Sequence, residues 1–152
     1  MLKVLIVDDE TVVRRGIVLG VDWASMDCVV VGEAANGEEG LAAAERYNPN
    51  LIITDVRMPR MDGIEMMRRL REKESTAHFI ILTAYDEFDY ARAALRYGAA
   101  DYLLKPFRDQ DLMSAIARVR EKEGAAQPAE DTLLLPKGDK SKYVLQTLNY
   151  IA

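Results

Sequence analysis

At 152 residues, 49% hydrophobic and 30% charged, the chain is long enough for one domain with a substantial core and a short extension. Its formal net charge of −5 argues against a broadly basic nucleic-acid surface within these residues, and the Asp and Glu residues are scattered rather than gathered into an acidic tail. A lone cysteine, Cys28, excludes an intrachain disulfide and reads as a small hydrophobe, while the lack of a secretory pattern or a membrane-length apolar stretch leads us to expect a soluble cytoplasmic protein.

From Leu2 to about Arg120, strand-like runs alternate with helix-like segments, the pattern of βαβ units around a parallel sheet. Val4-Leu5-Ile6-Val7 is continuously apolar, as expected of a strand buried on both faces, and ends on Asp8-Asp9. A first helix follows, with Val12, Val13, Gly16 and Ile17 at helical spacing. Val29–Ala34 reads as a strand with no chemically loaded residue at its end. Asn36-Gly37 then precedes a helix bearing Leu41, Ala44 and Tyr47. Leu51-Ile52-Ile53-Thr54 ends on Asp55, followed by a turn at Met58-Pro59 and by Asp62-Gly63, which precedes a helix with Ile64, Met67 and Leu70.

Phe79-Ile80-Ile81-Leu82 ends on Thr83. Asp86 is placed to cap a helix showing Phe88, Ala91, Ala94 and Leu95, with Gly98 as its stop. Tyr102-Leu103-Leu104 ends on Lys105-Pro106, where the proline stops the strand and allows a cis bond that aims the ammonium inward. Asp109 is placed to cap a last helix with Leu112, Ala115, Ile116 and Val119 inward. Five strands and five helices with right-handed crossovers are expected.

After Glu121 the composition changes. Residues 122–142, with Gly124, Pro128, Pro136 and Gly138, read as a linker interrupted by Leu133-Leu134-Leu135. Val144, Leu145, Leu148 and Ile151 recur at helical spacing in a stripe still unfinished at Ala152. The expected organisation is one domain over 1–121, a linker over 122–142, and the start of a truncated helical domain over 143–152.

In open parallel sheets, ligands bind beyond the carboxyl ends of the strands, so the loaded strand ends converge on one crevice. Asp8, Asp9 and Asp55 together would raise each other's pKa unless a cation sat among them. A hard divalent ion with oxygen ligands, Mg2+, answers that need. A single Asp here would read as a helix cap; the pair together with Asp55 and Lys105 reads as a site. Asp55 is suited to act as a nucleophile toward phosphorus. The cation, Lys105 and Thr83 would then meet the three equatorial phosphoryl oxygens.

At VLIVDDE, NLIITDVRMPRMDGIEMMRRLR and FIILTAYDEFDYARAALRYGAADYLLKPF, the chain resembles the receiver domain of two-component response regulators over roughly Met1 to Arg120. That resemblance implies a flavodoxin-like (βα)5 sandwich with strand order 2-1-3-4-5. It implies a switch rather than an enzyme, with Asp55 accepting a phosphoryl group from a sensor histidine kinase. Asp8, Asp9, Asp55 and the backbone carbonyl of Arg57 would hold Mg2+, for which Mn2+ can substitute. Thr83, Lys105 and Ala84 would meet the phosphoryl group, and Thr83 with Tyr102 would form the switch. Pro59, Gly63 and Pro106 would shape the supporting turns.

Val21-Asp22-Trp23 and the closing VLQTLNYIA resemble regulators with an AraC-type helix-turn-helix output, so DNA binding is expected only through residues beyond Ala152. Residues around the fourth helix and fifth strand, including Tyr90, Arg92, Arg96, Tyr97 and Arg108, read either as a solvated face or as a surface for a partner or a homodimer involving the fifth helix. His78 reads as a surface histidine, and the Met66-Met67 pair as core and flank. Two alternatives stand beside the switch: a stand-alone receiver, and a phosphohydrolase of the haloacid-dehalogenase type. The second lacks its general acid, because Arg57 stands two residues after Asp55. Nucleotide or flavin binding fails for want of a glycine-rich loop after the first strand.

Overall fold

In the computed structural model, the described residues are 1–126 other than 88, 90 and 91. Two compact units divide the chain, Met1–Ala117 and Arg118–Ala152, and the described part of the second is the end of the last helix. The expected linker beyond residue 126 and the closing apolar stripe lie outside the described residues, as do Phe88, Tyr90 and Ala91.

The first unit is a parallel five-stranded sheet in the order β2-β1-β3-β4-β5. Its strands are β1 (Leu2–Val7), β2 (Cys28–Ala34), β3 (Leu51–Asp55), β4 (His78–Thr83) and β5 (Asp101–Leu104). Four α-helices accompany them among the described residues: α1 (Thr11–Gly20), α2 (Gly37–Tyr47), α3 (Gly63–Glu72) and α4 (Asp109–Ala126). Between β4 and β5, where a further helix is expected, the described residues include two 3-10 segments, Tyr85–Glu87 and Arg92–Tyr97. Gly98 follows at φ +80, in the left-handed region that favours glycine at such a stop.

The three central strands are mostly apolar, with polar residues confined to Lys3 near the start of β1, His78 at the start of β4 and the carboxyl ends at Thr54, Asp55 and Thr83, and β3 is buried at every position. On one face Leu5, Val7, Ile52, Phe79 and Ile81 join Ala44, Met66, Met67 and Leu70 in a single core. Met66 and Met67 are both fully buried, so the pair is core rather than core and flank. Elsewhere Ile17, Leu112, Ala115 and Ile116 are buried. The stripe expected on α1 is narrower than its sequence suggests, since Val12 is 86% exposed. Trp23 anchors its loop by donating from Nε1 to the Val18 carbonyl at 3.0 Å.

Caps fix the helix starts. Asn36 accepts from the Glu39 N–H at 2.9 Å, and Asp62 accepts from the Glu65 N–H at 2.8 Å. After β4 both Asp86 and Glu87 lie inside the 3-10 turn, and it is the Glu87 carboxylate that accepts from the Ala84 N–H, at 3.3 Å. Arg71, at the end of α3, ties distant carbonyls together. It donates to Tyr97 at 2.7 Å, to Ser75 at 2.9 Å and to Ala77 at 2.8 Å, with its guanidinium over the Phe79 ring.

Gly63 carries the tightest approach beneath the crevice. Its N–H reaches the Val56 carbonyl at 2.8 Å, and a Cβ there would stand 2.2 Å from the Asp55 carbonyl oxygen. We expect Gly63→Ala to destabilise the fold by about 3 kcal/mol, the upper end of overpacking costs, in urea unfolding. Gly16, inside α1 with nothing within 4 Å of a built Cβ, gives the contrast: Gly16→Ala should stabilise by about 0.5–1 kcal/mol.

Candidate functional site

Strand register assembles the crevice. Val7 pairs with Thr54 and Asp55 pairs with Leu82, so Asp8 emerges beside Asp55 at the carboxyl edge. Thr83 pairs with Leu104, and the Lys105 N–H donates to the Thr83 carbonyl at 2.7 Å. Carboxylate oxygens of Asp8, Asp9 and Asp55 consequently lie within 4.8 Å of one another. Asp8 and Asp55 are buried, whereas Asp9 is exposed.

Lys105 supplies the local counter-charge, with Nζ 3.3 Å from Asp55 Oδ1 and 3.6 Å from Asp8 Oδ2. Its bond to Pro106 is cis. Asp8 Oδ1 accepts from the Glu10 N–H at 2.9 Å, and Asp55 Oδ1 accepts from the Val56 N–H at 2.9 Å. Asp8 Oδ2 is buried with no hydrogen-bond partner. Arg14 braces the main chain behind this pair: it donates to the Asp8 carbonyl at 2.7 Å and pairs with Glu33 at 3.1 Å. The peptide joining Asp8 to Asp9 is thereby held in place.

One ammonium does not balance these carboxylates. Burial, reinforced by the Asp8 charge, pushes the Asp55 carboxyl up to about 6 against the opposing pull of Lys105. Burial likewise raises Asp8. Burial works to lower Lys105, but Asp55 and Asp8 outweigh it and the net shift is upward. An orphaned buried oxygen on Asp8, facing a surplus of negative charge with all-oxygen donors, fits a hard divalent cation such as Mg2+.

The mouth of the crevice is an open cleft of about 350 Å3 lined by Asp9, Arg57, Met58, Pro59 and Asp62. Arg57 pairs with Glu87, Nε to Oε2, at 3.1 Å. Thr83 is fully buried, and its hydroxyl donates to the Ala84 carbonyl at 3.2 Å. Tyr102 lies exposed on edge strand β5, outside the crevice.

Residues 4–117 match the response regulator receiver domain. The chain belongs to the response-regulator receiver family. As a receiver it is similar to the REC domain of AraT, a response regulator from Geobacillus stearothermophilus. The two share 44% identity at a TM-score of 0.80, covering 84% of this chain and 98% of that one. A two-component transcriptional regulator AraC from Clostridium phytofermentans matches at 31% identity and a TM-score of 0.77, with 84% and 98% covered. Among curated relatives, the transcriptional regulatory protein YesN of Bacillus subtilis is 35% identical over 119 residues, which is 78% of this chain and 32% of that protein. BtsR of Escherichia coli K12, a transcriptional regulatory protein, is 37% identical over 141 residues, 93% of this chain and 56% of BtsR. The receiver chain thus spans between a third and little over half of these relatives' length.

Of the site residues expected from sequence, Asp8, Asp9 and Asp55 come together, Lys105 pairs with Asp8 and Asp55, and Thr83 and Ala84 follow at the neighbouring strand end. Arg57 and Pro59 line the cleft, while Gly63 packs under the Asp55 carbonyl. Arg14 and Glu87 escape a reading by sequence. Each acts on a backbone group, Arg14 on the Asp8 carbonyl and Glu87 on the Ala84 N–H, and such contacts leave no periodic signature.

Because the folded protein holds Asp55 at a raised pKa, it binds an extra proton relative to the unfolded chain between about pH 4 and 6, and stability falls as pH rises through that window. With divalent cations chelated, Asp55→Asn should therefore stabilise the receiver at pH 7 by about 1–3 kcal/mol, from roughly 1.4 kcal/mol per unit discounted for coupling to Lys105. The gain should shrink as pH is lowered toward 4, read from urea midpoints across pH.

Proposed function

We propose that this receiver is controlled by phosphorylation of Asp55, with Mg2+ as the required cofactor. The observation that supports this most is the convergence of Asp8, Asp9 and Asp55 within 4.8 Å, with Lys105 Nζ at 3.3 Å from Asp55. An Asp55 carboxylate oxygen attacks phosphorus in a phosphohistidine of a sensor kinase. The O–P bond forms as the P–N bond breaks, and the imidazole leaves with the electron pair. With its pKa near 6, Asp55 is mostly ionised at neutral pH and so competent to attack.

Asp8, Asp9, Asp55 and the Arg57 carbonyl would hold the cation. When bound, Mg2+ supplies the positive charge that offsets the carboxylates and a phosphoryl oxygen. Lys105 meets a second oxygen as a point charge. Thr83 meets a third after its hydroxyl turns from the Ala84 carbonyl, and the small side chain of Ala84 leaves room for the group. Tyr102, now at the surface, moves inward as the hydroxyl leaves. Pro59, Gly63 and Pro106 hold the supporting turns.

The receiver then passes its state to an output. The length and names of the transcriptional regulatory relatives support control of transcription by a DNA-binding domain outside this chain, reached through the expected linker over 122–142. The segment 92–97, β5 and α4 are the proposed homodimer surface. No helix among the described residues is long and apolar enough to cross a membrane. A cytoplasmic receiver meeting a kinase fits the proposal. As a switch it turns over slowly: Arg57, paired with Glu87, stands where a phosphohydrolase needs its acid.

Acetyl phosphate with Mg2+ should add one phosphoryl group to the wild type, seen by intact mass and lost in Asp55→Asn or with EDTA. Equal labelling of Asp55→Asn would overturn the assignment. Rapid multiple turnover of a phosphate monoester would favour the phosphohydrolase instead.

A further inference from the structure

Glu87 engages two donors on two different loops with one carboxylate. Its Oε1 accepts from the Ala84 N–H at 3.3 Å, and its Oε2 pairs with Arg57 Nε at 3.1 Å. Both donors flank Asp55. Arg57 follows it by two residues in the loop after β3, and Ala84 lies two residues beyond Leu82, the ladder partner of Asp55. The Glu87 side chain is 13% exposed while Arg57 is 68% exposed, so the carboxylate is the well-packed member and the guanidinium reaches toward it. Glu87 itself is delivered by the Tyr85–Glu87 turn that begins just after Ala84.

We propose that Glu87 is a positioning residue for the phosphoryl site, acting as an internal anion. In the unphosphorylated protein its carboxylate holds the Ala84 N–H and the Arg57 guanidinium, and an arriving phosphoryl group displaces it and takes these donors over. This rests on the Asp55 acceptor reading. A phosphoryl group offers three oxygens and close to two negative charges against the single charge of a carboxylate. A half-exposed ion pair is also weak enough to be exchanged. Charge is thus swapped for charge at the mouth, and the turn carrying Glu87 is released from Ala84 when Asp55 is modified.

The test is calorimetric binding of beryllofluoride with Mg2+ to the full 152-residue chain. Glu87→Gln and Glu87→Ala should each bind about fivefold more tightly than wild type, since no internal anion has to be displaced. Asp86→Asn, which removes an equal charge one residue away, should change affinity less than about twofold. In metal-free buffer, the Ala84 amide should exchange with deuterium faster in both Glu87 variants than in wild type. Unchanged or weaker binding by both Glu87 variants overturns the proposal, as does equal tightening by Asp86→Asn, which would reduce the effect to net charge. A wild type that binds no beryllofluoride overturns the acceptor reading and this proposal with it.

Discussion

Two buried carboxylates and a third at the surface, held close to one another at the edge of a parallel sheet, form the constraint on which the rest of this structure depends. Folding alone would separate or neutralise them. The register of β1, β3 and β4 forces them together, and Lys105 from the end of β5 offsets only part of the charge. The surplus shows in the raised pKa of Asp55 and in the orphaned Asp8 Oδ2. Stability sacrificed at such a point is a common mark of a functional site.

The surrounding residues make sense as supports for that arrangement. Arg14 holds the Asp8 carbonyl and is itself steadied by Glu33, so the main chain that carries the acidic pair is braced. Gly63 lets α3 start directly beneath the Asp55 carbonyl, where any side chain would collide. The core formed by Phe79, Ile81, Ile52 and Leu5 fixes the strands rigidly enough to hold the separations at the edge. Above this rigid base, nearby groups are engaged in exchangeable contacts: the buried Thr83 hydroxyl with the Ala84 carbonyl, and Arg57 at the cleft with Glu87. Fixed acids below and movable donors above are the parts a phosphorylation switch requires.

The sequence made the lower half of this site legible and concealed much of the upper half. Apolar runs that end abruptly on Asp8, Asp55, Thr83 and Lys105 announce buried strands and, through the parallel-sheet rule, their meeting point. Strand order and the receiver family followed from the same residues. The stretch after β4 was harder: Asp86 looked like a helix cap, but it lies inside the 3-10 turn Tyr85–Glu87, and Glu87 is the carboxylate that reaches the Ala84 N–H. Val12 looked like core on periodicity alone, yet α1 buries little more than Ile17. Arg71 and Arg14 were invisible because their partners are carbonyls distant in sequence or on the main chain, to which hydrophobic patterning is blind.

The link between the carboxylate surplus and a bound cation is tested most directly by thermodynamic linkage. Urea unfolding of the wild type should show stability rising with Mg2+ concentration by RT ln(1 + [Mg2+]/Kd), with no such rise in Asp8→Asn or Asp55→Asn. A wild type indifferent to Mg2+, or variants that respond as strongly as it does, would contradict the central role given to these three aspartates.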